Sequence, residues 1–268
     1  MRVGEALSLA QLPAREARLL LAAAAAVPES ALLAWPEREL EAATLRRFAA
    51  LAEDRRAGVP VAYLLGRREF YGLEFRVGPG VLVPRPETEL LVERALERRP
   101  ACVLELGTGC GAVAVALARA LPEARVVAVE RSAAALAYAR ANVARWAPRV
   151  ELRQGDWYAA LDARERYELI LANPPYIADG DPHLAARELR CEPRLALVAG
   201  ADGLDALRRV ITGAPAHLVP GGWLYVEHGS GQAEAVRDLL LRCGFTSLES
   251  WTDLAGIARV AGGRLKSD

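Results

Sequence analysis

The chain has 268 residues, 53% hydrophobic and 25% charged, the balance of an ordinary soluble globular protein with enough sequence for one or two domains. Acidic and basic residues cancel at 34 each, so no global positive field draws the protein toward nucleic acid or an anionic membrane, and any such contact would need a local patch. The longest apolar run, 19–27, is far shorter than the roughly 18 to 20 residues that span a bilayer, and no apolar stretch with a small-residue cleavage site stands near the start. A cytoplasmic location is expected. The four cysteines are too scattered for a zinc site or a disulfide framework, so reduced thiols and no metal are expected. Basic residues are almost all Arg, with Lys266 the only lysine, and Asn occurs only at 142 and 173. That bias suggests a GC-rich genome, which makes a retained Asn informative.

In chain order, residues 3–66 are Ala- and Leu-rich with helical spacing and are broken by Pro13, Pro28, Pro36 and Gly58. They predict a small all-α domain over 1–68. Pro36 followed by Glu37 and Glu39 suits a helix start, since proline lacks a donor that the first turn leaves unpaired and carboxylates favour the positive end of the helix dipole. One helix is therefore expected from about Pro36 to Arg56. The texture then changes. Residues 69–84 alternate aromatic or β-branched residues with others and contain Gly78-Pro79-Gly80, which predicts a β-hairpin linker turning there.

Over 85–268, strand-like runs at Cys102–Leu106, Arg125–Glu130, 150–154, 168–172 and 223–227 alternate with helical stretches such as Ala112–Ala120 and Ala133–Trp146. Such alternation predicts an α/β fold, a mostly parallel sheet with helices on both faces. Two short runs, 246–250 and 257–261, break the rhythm with only a brief connection and predict an antiparallel pair at one end of the sheet.

The first strand of that series runs into Gly107-Thr108-Gly109-Cys110-Gly111 and then an Ala-rich helix. Glycines at the carboxyl end of a strand and the start of a helix let backbone approach a ligand where Cβ atoms would collide. Glu130 ends the next strand, where a carboxylate can accept both ribose hydroxyls of a bound nucleoside. Asp156 and Trp157 end the third, placing an acceptor for an exocyclic amino group and a flat ring where an adenine would lie. The loop alone is ambiguous, because Gly107, Gly109 and Ala112 also satisfy the dinucleotide pattern G-x-G-x-x-G/A.

The fourth strand delivers Asn173-Pro174-Pro175-Tyr176 to the same edge. Neither proline has an N–H, so this turn presents carbonyl acceptors without competing backbone donors. An amide nitrogen is a poor nucleophile, its lone pair being delocalised as in a peptide bond. The Asn173 side-chain oxygen and the Pro174 carbonyl are placed to accept its two N–H groups, with Tyr176 against the planar group, so that positioning replaces a strong base. The three histidines, His183, His217 and His228, have no evident Ser or Cys partner and read as structural or surface residues.

With those motifs in place, the sequence resembles the HemK/PrmC family of bacterial glutamine-N5 methyltransferases acting on peptide chain release factors. Gly66-x-x-x-Phe70-Tyr71-Gly72, Pro84-Arg85-Pro86-Glu87-Thr88-Glu89, Gly155-Asp156-Trp157, Glu192-Pro193 with Ala196-Leu197, Gly200-x-Asp202-Gly203-Leu204 and Glu227-His228-Gly229 extend the likeness over nearly the whole chain. The resemblance implies a seven-stranded Rossmann-like class I methyltransferase sheet with a helical substrate-binding domain, S-adenosylmethionine as donor, and the Gly-Gly-Gln glutamine of a release factor as acceptor. It implies cofactor contacts from Gly107 to Gly111, Glu130, Asp156, Trp157 and Asn173, and acceptor contacts from Asn173, Pro174, Pro175 and Tyr176, in a monomer. Two departures stand out: the ribose position, commonly Asp, is Glu130, and the segment 254–259 holds only part of the D-x-x-x-x-x-R pattern of the last strand pair.

Other classes remain open on sequence. A nicotinamide oxidoreductase explains the glycines and Glu130 but leaves Asn-Pro-Pro-Tyr idle. An adenine- or cytosine-amino methyltransferase uses a similar loop but wants a basic surface that the composition does not advertise. A non-catalytic binding module needs only the fold, and an enzyme acting on a glutamine of a ribosomal protein would differ chiefly in its N-terminal domain.

Overall fold

The computed structural model describes residues 1–267. Five helices come first: α1 (Val3–Leu9), α2 (Ala14–Ala25), α3 (Glu29–Ala34), α4 (Ala42–Ala57) and α5 (Val61–Leu65). They share a small core of their own in which Leu20, Leu21, Leu32 and Phe48 are buried. The long helix starts at Ala42, not near Pro36. Pro36 lies in a turn whose backbone pairs with the chain start, Gly4 N–H donating to the Pro36 carbonyl at 2.9 Å and Val3 N–H to that of Arg38 at 3.0 Å. Pairing across the bundle outweighed the proline's local preference for a first helical turn.

Strands β1 (Arg67–Phe70) and β2 (Leu73–Arg76) form the antiparallel hairpin. Its turn is Tyr71-Gly72, both at positive φ (50° and 72°), and not Gly78-Pro79-Gly80. Two residues at positive φ make the turn whose twist matches that of the strands, but a tyrosine there gives no warning in sequence. Gly78 instead packs against Tyr138, with no room for a side chain, and Gly80 lies at the cleft described below.

The larger sheet combines β3 (Cys102–Leu106), β4 (Arg125–Glu130), β5 (Glu151–Gln154), β6 (Tyr167–Ala172), β7 (Leu218–Glu227), β8 (Phe245–Thr252) and β9 (Ala258–Leu265). Their order is β5-β4-β3-β6-β7-β9-β8. The first five are parallel, and β9 pairs antiparallel with both β7 and β8. The strand β3 buries Val103 on one face and Leu104 and Leu106 on the other, as its period of two requires. Helices α6 (Glu89–Arg98), α7 (Ala112–Ala120) and α8 (Ala133–Trp146) contribute to the core on the Val103 side, with Leu91, Val113 and Leu117 buried there. Helices α9 (Asp205–Gly213) and α10 (Ala233–Arg242) cover the other with Leu207, Val210, Ile211, Val236 and Leu240. At the sheet edge Asp253 and Arg259 form an ion pair at 2.9 Å, so the pattern missed over 254–259 is complete once Asp253 is counted. No helix among the described residues is long and apolar enough to cross a membrane.

Asn142, on α8, joins the hairpin to the sheet. Its side chain is fully buried, accepts from Arg76 N–H at 2.8 Å, and donates to the carbonyls of Arg76 at 3.0 Å and Cys110 at 2.9 Å. Three backbone groups on two segments thus depend on one amide, and an orphaned buried group costs about 1 to 3 kcal/mol. Asn142→Ala is expected to destabilise the chain by about 2 to 4 kcal/mol in urea unfolding; a loss below about 1 kcal/mol would show that the three groups find other partners.

Candidate active site

The order β4-β3-β6 reverses direction at β3, so the crevice of the sheet opens at the carboxyl ends of β3 and β6, where ligands of such folds bind. A cleft of about 340 Å³ occupies that place. Gly107, Thr108 and Gly109 line it from β3, Glu130 from β4, Asp156 and Trp157 from β5, and Asn173 and Pro175 from β6. Pro174 is buried behind the loop, and the partly buried Tyr176 turns its hydroxyl to Glu227 at 3.3 Å; neither lines the cleft.

The glycine loop is held from below. Gly107 and Thr108 both donate their N–H to the Val129 carbonyl, at 2.8 and 3.0 Å. Glu105 is buried under the loop, its Oε2 accepting from the Thr108 hydroxyl at 2.6 Å and from Ala114 N–H at 2.9 Å. Glu130 accepts from Gly109 N–H at 2.8 Å and Ser132 N–H at 2.7 Å, one bond per oxygen, and keeps lone pairs toward the cleft. Gly107 has φ of 74°, and a Cβ there would lie 3.3 Å from the Trp157 ring, which closes over the loop. Trp157 itself sits at φ 53°. Asp156 is engaged by Arg209 at 2.6 Å, an ion pair at the rim. Cys110 also lines the cleft, though it is buried, and desolvation pushes its thiol up to about 12, so it stays a neutral thiol.

The Asn-Pro-Pro-Tyr loop is fixed from both sides. Asn173 Nδ2 donates to Thr88 Oγ1 at 3.0 Å, which leaves Oδ1 free to accept. Gln232 Nε2 donates to the Tyr176 carbonyl at 3.0 Å, and Ile177 pairs in parallel with Val198. Across the cleft, Arg85 is paired with the buried Glu192, whose other oxygen accepts from Val83 N–H at 3.2 Å. Sequence reasoning gave no role to Glu105, Thr88, Glu192 or Glu227. All four are buried, and the only signal for them was polar residues inside apolar runs or motifs. None of the histidines lines the cleft: His183 pairs with Asp181, His217 stacks on Tyr158 with ring centroids 4.9 Å apart, and His228 is buried behind Glu227.

Burial raises Glu130, and the N–H groups of Ser132 and Gly109 oppose the rise. Burial also lifts Glu105 to about 7, opposed by Thr108 and Ala114.

A sheet of this order, closed by an antiparallel pair and carrying a glycine-and-carboxylate cleft at its switch point, defines a methyltransferase of the class I fold. Solved structures share it: a T. Thermophilus 16S rRNA methyltransferase in complex with AdoMet and guanosine superposes with TM-score 0.58 at 24% identity, over 75% of this chain and 50% of that one. A methyltransferase from Pyrococcus furiosus does so with TM-score 0.57 at 19% identity, over 74% and 91%. Residues 85–202 match the model of the methyltransferase small domain, and residues 2–66 that of the PrmC N-terminal domain. A release factor glutamine methyltransferase from Burkholderia pseudomallei is 50% identical over 97% of this chain and 95% of its own length. One from Vibrio cholerae is 43% identical over 96% and 91%. The chain belongs to the release factor glutamine methyltransferase family.

The raised Glu105 pKa has a consequence for stability. Its ordinary value is 4.5 and its folded value is about 7. Between those values the folded chain binds more protons than the unfolded one, so this stabilisation is full below about pH 4.5 and fades as pH rises through 7. Glu105→Gln should remove that slope, and the stability difference between the two proteins should change by on the order of 2 to 3 kcal/mol from pH 4.5 to 7.5. Chemical denaturation at several pH values checks it; parallel curves would mean that Glu105 titrates normally.

Proposed function

We propose that the chain transfers a methyl group from S-adenosylmethionine to the side-chain amide nitrogen of the glutamine in the Gly-Gly-Gln motif of a peptide chain release factor. The observation that carries this reading is the meeting, at one edge of the sheet, of a nucleoside-sized glycine-and-carboxylate cradle with Asn173, which lines the same cleft while its Nδ2 is taken by Thr88. Nicotinamide chemistry would use the first and leave the second without a task.

The residues fit the donor. Gly107 and Gly109 line the cleft at positive φ, Gly111, also at positive φ, packs against Ala139 of α8 outside the cleft, and Trp157 covers the loop as a flat apolar wall. Glu130 would take the ribose hydroxyls on its remaining lone pairs, and Asp156 with Trp157 the adenine. When bound, S-adenosylmethionine supplies an electrophilic methyl group. Asn173 Oδ1 would accept an N–H of the acceptor amide, which fixes the nitrogen and raises the electron density on it, while the Pro174 carbonyl, which lies outside the cleft here, would have to turn inward to take the second N–H. With S-adenosylhomocysteine leaving with the electron pair of the broken S–CH3 bond, the methylated amide nitrogen would lose its extra, strongly acidic proton to water, so the reaction needs no dedicated histidine.

The helical region, which ends with α5 and not at residue 68, and the hairpin, which spans Arg67–Arg76 and not 69–84, serve as the docking part for the protein substrate, and 85–268 as the catalytic part, in a monomer acting in the cytoplasm, where release factors work. A free glutamine would need no such region. Docking on remote surfaces holds a mobile Gly-Gly-Gln loop in the cleft.

Two measurements test the reading. Glu130→Ala should weaken S-adenosylhomocysteine binding roughly ten- to hundredfold in calorimetry, as expected for charge-assisted bonds of about 1.5 to 3 kcal/mol. Incubation of a release factor with the enzyme and S-adenosylmethionine should add one methyl group to the Gly-Gly-Gln glutamine by mass spectrometry, and Asn173→Ala should slow this on the order of a hundredfold. Methyl groups found only on a ribosomal protein or a nucleic-acid base would overturn the assignment of substrate.

A further inference from the structure

A second cavity, of about 490 Å³, lies where the helical region meets the segment between β6 and α9. The turn between α1 and α2, the end of α4 and residues 186–189 form its walls, and Arg85 stands in it. Arg85 also lines the catalytic cleft, so the two hollows meet at this side chain. The meeting point is at the acceptor end of the cleft. The Arg85 carbonyl accepts from Thr88 N–H at 3.1 Å, and the Thr88 hydroxyl accepts from Asn173 at 3.0 Å. Glu130, Asp156 and Trp157, which suit a nucleoside, come from β4 and β5 on the far side of β3. A polypeptide whose side chain reaches Asn173 therefore has the second cavity beside its path.

The charges in this cavity do not cancel. Arg55, Arg56, Arg85 and Arg187 face only two carboxylates, Glu16 and Glu188. Arg55 is held between both glutamates, and Arg85 is paired with the buried Glu192. Arg56 and Arg187 are exposed, and among the described residues neither has a carboxylate partner. Each gives one N–H to a backbone carbonyl, Arg56 to that of Ala10 at 2.9 Å and Arg187 to that of Arg56 at 3.1 Å. A guanidinium has five N–H donors, so most of theirs stay open. Two uncompensated cations in one cavity call for an anionic ligand, and a guanidinium matches a carboxylate in shape as well as in charge. A polypeptide suits a lining that holds both signs, because its carboxylates can meet Arg56 and Arg187 while its backbone N–H groups meet Glu16 and Glu188. A nucleic-acid strand carries a phosphate at every step and would set some of them against the two glutamates.

We infer that the second cavity is a docking site for an acidic stretch of the acceptor protein, close to the loop that carries the glutamine, and that Arg56 and Arg187 hold this stretch through their open N–H groups. The inference rests on the protein acceptor proposed above. It adds which surface makes the contact remote from the reacting atoms and which chemistry that surface selects. Charges at such a rim act on the encounter with the protein and on its retention, not on the transfer step. The effect of removing them therefore belongs in KM for the protein substrate and not in kcat or in cofactor binding.

The test uses the full chain, S-adenosylmethionine and a release factor as substrate. The double variant Arg56→Gln, Arg187→Gln keeps side chains of similar reach and removes both charges. It is expected to raise KM for the factor roughly tenfold and to make the rate less sensitive to salt. Its kcat, and its dissociation constant for S-adenosylhomocysteine, which also reports folding, should stay near those of the unaltered protein. Arg187→Glu should lower kcat/KM as well. Asp and Glu residues near the Gly-Gly-Gln loop of the factor, replaced one at a time by Arg, should then include one that restores it, the mark of a direct pair. An unchanged KM in the double variant, a loss confined to kcat, or the lack of any restoring position would overturn the inference. So would an RNA oligomer that inhibits the unaltered chain but not the double variant, since that assigns the cavity to nucleic acid. A factor methylated equally well by all the arginine variants removes the docking site alone, whereas a factor left unmethylated by the unaltered chain removes the proposed acceptor and the docking site with it.

Discussion

Parallel pairing of β3 with β6, in the register Leu106 opposite Ala172, is the constraint on which the site depends. Two parallel neighbours end on the same edge of the sheet, so the segments that follow them emerge side by side. Here those segments are the glycine loop and Asn-Pro-Pro-Tyr. Residues 66 positions apart in sequence, Gly107 and Asn173, thereby come to line one cleft without either loop being long. The chain that leaves β3 turns toward β4 and β5, and β6 returns on the other side, so a crevice stays open between them.

A crevice held open at a sheet edge exposes backbone that packing alone would not fix, and buried carboxylates fix it. Glu105 holds the start of α7 and Thr108, Glu130 holds Gly109 and Ser132, Glu192 holds Val83 and Arg85, and Glu227 holds Tyr176. Each carboxyl is costly to bury, and the raised values at Glu105, Glu130 and Glu227 reflect that cost. The compensation is rigidity. A site that works by positioning rather than by a strong base gains from walls that do not rearrange when the acceptor arrives.

The same walls connect the cleft to the helical region. The Tyr63 hydroxyl on α5 donates to the Val81 carbonyl, and Val81 lines the cleft. Arg55 on α4 bridges Glu16 on α2 and Glu188 in the segment between β6 and α9, and Arg187 in that segment reaches the Arg56 carbonyl. Four residues after Glu188, Glu192 ties the segment to Arg85. Contacts made by helices α4 and α5 therefore end, within a few bonds, at the rim of the cleft.

By itself the sequence determined what depends on local pattern. Strand β3, strand β4, helix α7 and helix α8 lie where their periodicity predicts, and the glycine loop and Asn-Pro-Pro-Tyr announce themselves because glycine and proline restrict the backbone wherever they occur. Tertiary structure decided the rest. It moved the start of α4 from Pro36 to Ala42, because residues 36–38 pair with the chain start, and it turned the hairpin at Tyr71-Gly72, where a strand register and not a residue preference selects positive φ. It turned Tyr176 from the cleft to Glu227 and gave Asp156 an arginine. It also gave tasks to Glu105, Thr88, Glu192 and Glu227, which no local rule marks, since what a buried polar side chain bonds depends on neighbours that only folding supplies. Asn142 and Asn173, the two asparagines in the chain, show the division: composition singled them out, but only the packing of α8 against β2 and of β6 beside Thr88 shows what each amide holds.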